Sequence, residues 1–199
     1  MAEPMLSLPL SSLAGLVLAA AVVMGSPGPS TMSITAAGAA FGLRRSLGYL
    51  AGLVMGTTTV LMAVALGLLT LLLSLPWLAP GLIAASGIYI LYLACRIATA
   101  PPLSRQARPV AAPSLAGGFF LAIANPKAYA AIAAVFAGAN LEPVPKILVL
   151  CLMIILIHLV WLLAGASLSR MLHDPRRGRI ANILFAAILI ATTGYALLR

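Results

Sequence analysis

Six long apolar runs dominate this chain, at about residues 8–41, 46–73, 80–98, 114–139, 146–168 and 180–198. A helix needs about 20 apolar residues to cross the roughly 30 Å hydrocarbon core of a bilayer. Each run is long enough. Lipid offers no partner to a backbone N–H or C=O, so a spanning segment must be a helix or part of a closed barrel. The alternating ten-residue segments of a barrel do not occur. The runs therefore predict an all-α integral membrane protein with six transmembrane helices. Composition agrees: 63% of the 199 residues are hydrophobic and 8% are charged, more apolar surface than a soluble domain of this size hides. The length suits a single membrane domain over 1–199, with the lipid bilayer as its surroundings.

Connections between runs are short. The longest, 99–113, reads TAPPLSRQARPVAAP and divides the chain into halves of three runs each, 1–98 and 114–199. The formal net charge is +9, from twelve Lys and Arg against three acids. On a soluble protein that excess would suggest nucleic acid. Here no basic cluster carries interleaved aromatics on a soluble face, so no nucleic-acid partner is expected. The basic residues instead lie between spans. Arg44, Arg45, Arg96, Arg105, Arg108, Arg170, Arg176, Arg177 and Arg179 fall on one side of a six-helix alternation, against Lys146 and Arg199 on the other. The positive-inside rule makes the Arg-rich loops, including 99–113, cytoplasmic and puts both termini outside. If the first run enters and leaves on one side, the N-terminus flips. With Glu3 and no basic residue ahead of it, the first run does not read as a signal peptide and is expected to be retained.

Three spans per half means that the halves start on opposite sides, so any likeness between them is of inverted topology. The first run is much longer than a span requires, and GSPGPST at 25–31 sits inside it. Pro27-Gly28-Pro29 finds a counterpart in Asn125-Pro126-Lys127, near the middle of the fourth run. Proline removes a donor and clashes with the preceding turn, freeing carbonyls that lipid cannot satisfy. Such backbone persists where it is buried in protein or lines a polar cavity. A half-helix that starts there aims partly positive N–H groups at the cavity, suited to a carboxylate. A plain proline kink explains either break alone. Two matched breaks predict a substrate site formed by Pro27, Gly28, Pro29, Ser30, Asn125, Pro126 and Lys127.

Lys127 sharpens that expectation. A lysine near mid-bilayer costs several kcal/mol and usually has a role or a partner. Glu3, Glu142 and Asp174 all fall in loops or termini, so no carboxylate is at hand in a span. Either local carbonyls hold the ammonium, or a substrate carboxylate completes it. Asn125 adds donors and acceptors beside it. His158 is the one histidine within a span. It is a candidate for proton coupling, and equally a neutral, hydrogen-bonded histidine facing the bundle. His173 reads as a loop residue.

Gly48, Gly52 and Gly56 recur at four-residue spacing on the second run, as do Gly38 and Gly42 after the first break. Such glycines are expected to let helices pack closely, within one subunit or between two copies of a homo-oligomer. Thr57, Thr58 and Thr59 follow; one could face a cavity, with bonding back to the helix the blander expectation. No phosphate loop, HExxH, paired intramembrane carboxylates or Cys/His cluster occurs, so neither a catalytic residue nor a metal nor a cofactor is expected. Cys95 and Cys151 form no CxxC pair and read as packing thiols.

SPGPS at 26–30, GLRRSLGYLAGLVMG at 42–56, ALGL at 65–68 and GFFLAIANPKA at 118–128 together resemble the lysine exporter / homoserine–threonine exporter (LysE/RhtB) family of small bacterial amino-acid exporters. The resemblance covers most of the chain in order. It implies a multi-pass protein of the bacterial cytoplasmic (inner) membrane, exporting amino acids or derivatives with the proton-motive force, and it places the two breaks around the substrate. The chain departs from the commonest pattern at Ser30, where Asn or Asp often follows PGP. Threonines also stand on the second helix where some members carry an acid or histidine. Without an acid in the membrane a cationic side chain has no counter-charge, so a neutral substrate is favoured. Two alternatives compete: a membrane thiol–disulfide electron carrier, which would want cysteines at the breaks, and a non-transporting scaffold, in which Lys127 would be dispensable.

Overall fold

A computed structural model describes residues 10–67, 77–99, 112–171 and 175–197. Most of the central loop lies outside the described residues, as do Glu3, Arg105, Arg108, His173, Asp174 and Arg199. Among the described residues the chain is helical, without strands. In chain order the helices are α1 (Leu10–Ala19), α2 (Pro29–Phe41), α3 (Leu43–Ala65), α4 (Leu78–Ala98), α5 (Leu115–Ala124), α6 (Pro126–Gly138), α7 (Pro143–Met171) and α8 (Pro175–Leu197).

The first apolar run is broken. α1 widens into a π-turn over Ala20–Met24, closed by Gly25 N–H donating to Ala20 O at 3.2 Å. Three irregular residues follow, and α2 restarts with Pro29 in its first turn, where a missing N–H costs nothing. The two pieces are bent by 70°. In the fourth run α5 ends at Ala124, Asn125 caps α6 by accepting from Lys127 N–H at 3.1 Å, and Pro126 fills the first helical position. That bend is 63°. In both breaks proline opens a new half-helix, which relocates the unpaired backbone groups to the gap between halves.

α3 and the Pro143–Leu168 stretch of α7 are each long and apolar enough to cross a membrane, and each bent pair passes the same test as one span, making up to four. The runs at 80–98 and 180–198 form α4 and α8, helices of 21 and 23 residues. The second run departs from expectation at its end: α3 stops at Ala65, and Gly67 turns the chain at φ +71°.

α2 occupies the middle, with every residue from Pro29 to Phe41 buried. It packs chiefly on α7, while α3 packs on α5 and α4 on α8. One apolar core joins Ile34, Phe41, Leu53, Leu93, Leu121 and Leu162 on α2, α3, α4, α5 and α7. A second joins Leu16, Leu61, Ile132, Leu150 and Ile154 beneath α1 and α6. Outward positions are as apolar as the core: Met55, Phe120, Leu148, Val160 and Ile183 are exposed. Large apolar side chains on all sides of a bundle fit a lipid surround and would be a liability in water.

The glycines divide into two groups. A Cβ on Gly38 would meet Leu162 O at 2.7 Å, one on Gly52 would collide with Leu115 O, and one on Gly56 would meet Phe119 O at 2.6 Å. Those helix pairs touch backbone to backbone. Gly42 and Gly48 do otherwise than expected, since a Cβ on either meets nothing within 4 Å. Gly42 is needed for its backbone instead: at φ +79° it ends α2 and starts α3, a conformation that L side chains rarely adopt. Gly48 faces outward, away from any described helix.

Candidate functional site

The two breaks meet. Asn125 Nδ2 donates to Ser30 Oγ at 2.9 Å, and Lys127 Nζ donates to Ser26 O at 2.5 Å, Ser26 Oγ at 2.9 Å and Pro27 O at 2.9 Å. The ammonium's three N–H donors thus match three acceptors on the other half of the chain. Carbonyls freed by Pro27 and Gly28 are what hold it. Of the two possibilities that the sequence leaves for Lys127, local carbonyls are therefore realised. They satisfy its hydrogen bonds but bring no negative charge, and Glu142, the one acid among the described residues, is exposed at the start of α7.

Around this contact the polar groups are ordered by neighbours. Thr31 accepts from Gly28 N–H at 2.9 Å, fixing the start of α2 as the third residue of a capping box does. Ser33 Oγ donates to Ser30 O at 2.8 Å and receives Tyr49 OH at 3.1 Å, so a buried chain runs from α3 through α2 to Asn125. Trp161 Nε1 on α7 donates to Gly25 O at 3.0 Å, satisfying another carbonyl of the first break. With these bonds made, little backbone in the gap is left idle, as a low-dielectric interior demands.

A small cavity of about 40 Å³ lies beside the two breaks. Gly28, Ser30, Thr31, Asn125 and Lys127 line it together with Met24, aliphatic residues of α6 and α7, Thr57 and His158. By the measure in which one water takes about 10–15 Å³, it holds about three waters and no amino acid. His158 and Thr57 are each 5% exposed. The ring Nδ1 lies 2.8 Å from Ile154 O, whereas His158 Nε2 and Thr57 Oγ1 have no partner among the described residues.

Of the residues singled out in the sequence, Gly28, Ser30, Asn125, Lys127 and His158 border this cavity; Pro29 and Pro126 set the half-helix starts behind it, and Pro27 supplies a carbonyl but is itself exposed. Sequence reasoning missed Ser26, Thr31 and Trp161. Trp161 was in principle visible, three residues after His158 on the same face of an otherwise aliphatic helix. Thr57 is the threonine that turns to the cavity; Thr59 bonds back to Met55 O at 3.0 Å. Cys95 and Cys151 are both free thiols away from the breaks. Among the described residues, no three His, Cys, Asp or Glu gather as a metal site would require.

The LysE type translocator family model matches residues 21–199, which include both breaks and every residue that lines the cavity. No curated protein and no solved structure matches the chain.

Proposed function

The chain belongs to the LysE type translocator family, and from that premise we propose that it exports a neutral amino acid or derivative from the bacterial cytoplasm across the inner membrane. The observation that carries this reading is the meeting of two helix breaks, one from each half of the chain, at a cavity, with a lysine whose charge has no acidic partner among the described residues. A substrate carboxylate would exchange with the Ser26 and Pro27 carbonyls and supply the missing charge, aided by Asn125 and the first-turn N–H groups of Ser30 and Thr31. Pro27, Gly28, Pro29, Ser30, Asn125, Pro126 and Lys127 form the substrate site in this reading. The same lack of acids favours a neutral side chain and the homoserine–threonine branch of the family. The proton-motive force drives export, and His158 carries the proton.

Six spans arranged as two inverted three-helix halves, 1–98 and 114–199, with cytoplasmic Arg-rich loops, supply the two access states. The cavity is too small for an amino acid as it stands, so the halves must part at the Lys127–Ser26 contact for substrate to enter. When Lys127 changes partner from carbonyls to carboxylate, that contact opens, which couples binding to the change of access.

Proteoliposomes loaded with labelled neutral and cationic amino acids, under an imposed pH gradient, test the proposal. Efflux of one or more neutral amino acids that collapses with the gradient is expected; no efflux across a broad panel overturns it. A second prediction concerns Gly28. A Cβ there would meet Lys127 Cδ at 2.6 Å and Nζ at 2.8 Å, atoms at the flexible end of a side chain. Gly28→Ala should therefore displace the ammonium and spare the fold. Export should fall about tenfold, as for loss of one charge-assisted hydrogen bond, with thermal stability little changed. Unchanged export with the same melting profile would detach Gly28 from the site.

A further inference from the structure

Two residues that line the cavity carry buried polar atoms without a partner among the described residues, His158 Nε2 and Thr57 Oγ1. Both line the same space, from different helices, and they do not bond to each other. An unpaired buried polar atom costs free energy, and two that converge on one cavity imply an occupant. The occupant's chemistry follows from the histidine's other nitrogen. Ile154 O can only accept, so Nδ1 carries the ring's proton, and in the neutral ring Nε2 is a bare lone pair. A hydroxyl oxygen beside it also has lone pairs to offer. His158 Nε2 therefore accepts and the Thr57 hydroxyl is able to accept as well as donate, whereas the Lys127 ammonium only donates.

The geometry points to Thr57 and His158 as the binding site for the substrate's ammonium group. The inference rests on the exporter reading and deepens it: one cavity carries a cationic donor and a neutral acceptor, which suit a zwitterion's carboxylate and amine respectively. An acceptor pair without a formal charge also explains how an amine is held where no carboxylate is available. The same lone pair binds a proton. Acid converts Nε2 from acceptor to donor and gives the ring a positive charge, so proton and amine exclude each other at one atom. Alternate occupancy of that atom is what antiport requires. Among the described residues the titratable groups near His158 are few: Lys127 lines the same cavity, and Tyr129 on α6 and Cys151 on α7 pack in the adjoining apolar cluster. None is an acid that would hold the imidazolium in place of the amine.

Matched pairs of competitors test this in proteoliposomes: alanine against propanoate, threonine against 3-hydroxybutanoate, leucine against 4-methylpentanoate. Wild-type protein should prefer the amino acid to its des-amino partner by about tenfold or more, because a site built for a polar group rejects the analogue that lacks it. Thr57→Val, nearly isosteric, should erase most of that preference, His158→Leu should erase the rest, and Thr57→Ser should restore it. Affinity for the amino acids, and not for the des-amino acids, should fall by about tenfold per pH unit below the ring's titration. If the two atoms merely hold trapped water, the preference survives in both variants, and the inference is overturned. Should His158→Leu fail to fold, Thr57→Val decides alone. A wild-type protein that moves none of the amino acids defeats the exporter reading instead, so the two failures are distinct.

Discussion

Lys127→Met should abolish export while the helices stay in place. Methionine keeps the length and apolar stem of the side chain but removes the charge that a carboxylate would need and the three bonds to Ser26 and Pro27. Hydrogen bonds to a charged group contribute about 1.5–3 kcal/mol each, so losing the substrate's share alone predicts a fall of about 100-fold or more in transport. The fold should survive because Lys127 is only half-buried and the first break keeps its other bonds, Trp161 Nε1 to Gly25 O and Gly28 N–H to Thr31 Oγ1. Lys127→Arg separates charge from geometry. Its flat guanidinium cannot converge on three acceptors as an ammonium does, and an intermediate rate is expected. Resistance of cells to toxic amino-acid analogues, with membrane levels of each variant measured alongside, gives the readout. Wild-type resistance in the Met variant would make Lys127 a structural tie between the halves and nothing more.

The breaks were legible in the sequence because their cause is local: proline in an apolar run breaks the backbone pattern wherever it occurs. What the breaks do to each other was not legible. That Lys127 binds Ser26 and Pro27, about a hundred residues away, depends on which helices pack, and an apolar run is nearly the same from every side. The same holds for Thr57. Three threonines in a row offer three directions 100° apart, and only the neighbours decide which one meets a cavity. Trp161 and Thr31 were missed for a related reason: each answers a backbone group exposed by the first break, and a sequence shows side chains, not orphaned carbonyls. The long spans α3 and α7 read directly from composition. α4 and α8 likewise form over the runs at 80–98 and 180–198.

The glycine repeat shows the limit of pattern most sharply, and it yields the second large effect. Gly48 and Gly52 are indistinguishable by spacing, yet a Cβ on Gly52 would fall on Leu115 O with Leu115 C and Phe119 N both at 2.9 Å, whereas one on Gly48 meets nothing. A Cβ on Gly118 of α5 would likewise collide with Tyr49 O on α3, so these two helices cross with a glycine on each side. Backbone atoms cannot swing aside as a lysine's end does. Gly52→Val must therefore push α3 off α5 and open the core at Leu53 and Leu121. Overpacking of a well-filled core costs about 1–3 kcal/mol, and a backbone clash belongs at or above the upper end. At about 2–4 °C per kcal/mol for a chain of this length, the thermal midpoint in detergent should drop by about 6–12 °C. Gly48→Val should leave that midpoint within about 2 °C, because surface substitutions are usually worth less than about 0.5 kcal/mol. A Gly52→Val protein as stable as wild type would mean that the α3–α5 crossing is looser than the structure has it. A large loss in Gly48→Val, accompanied by a fall in oligomer size, would place that outward glycine against a second copy of the chain.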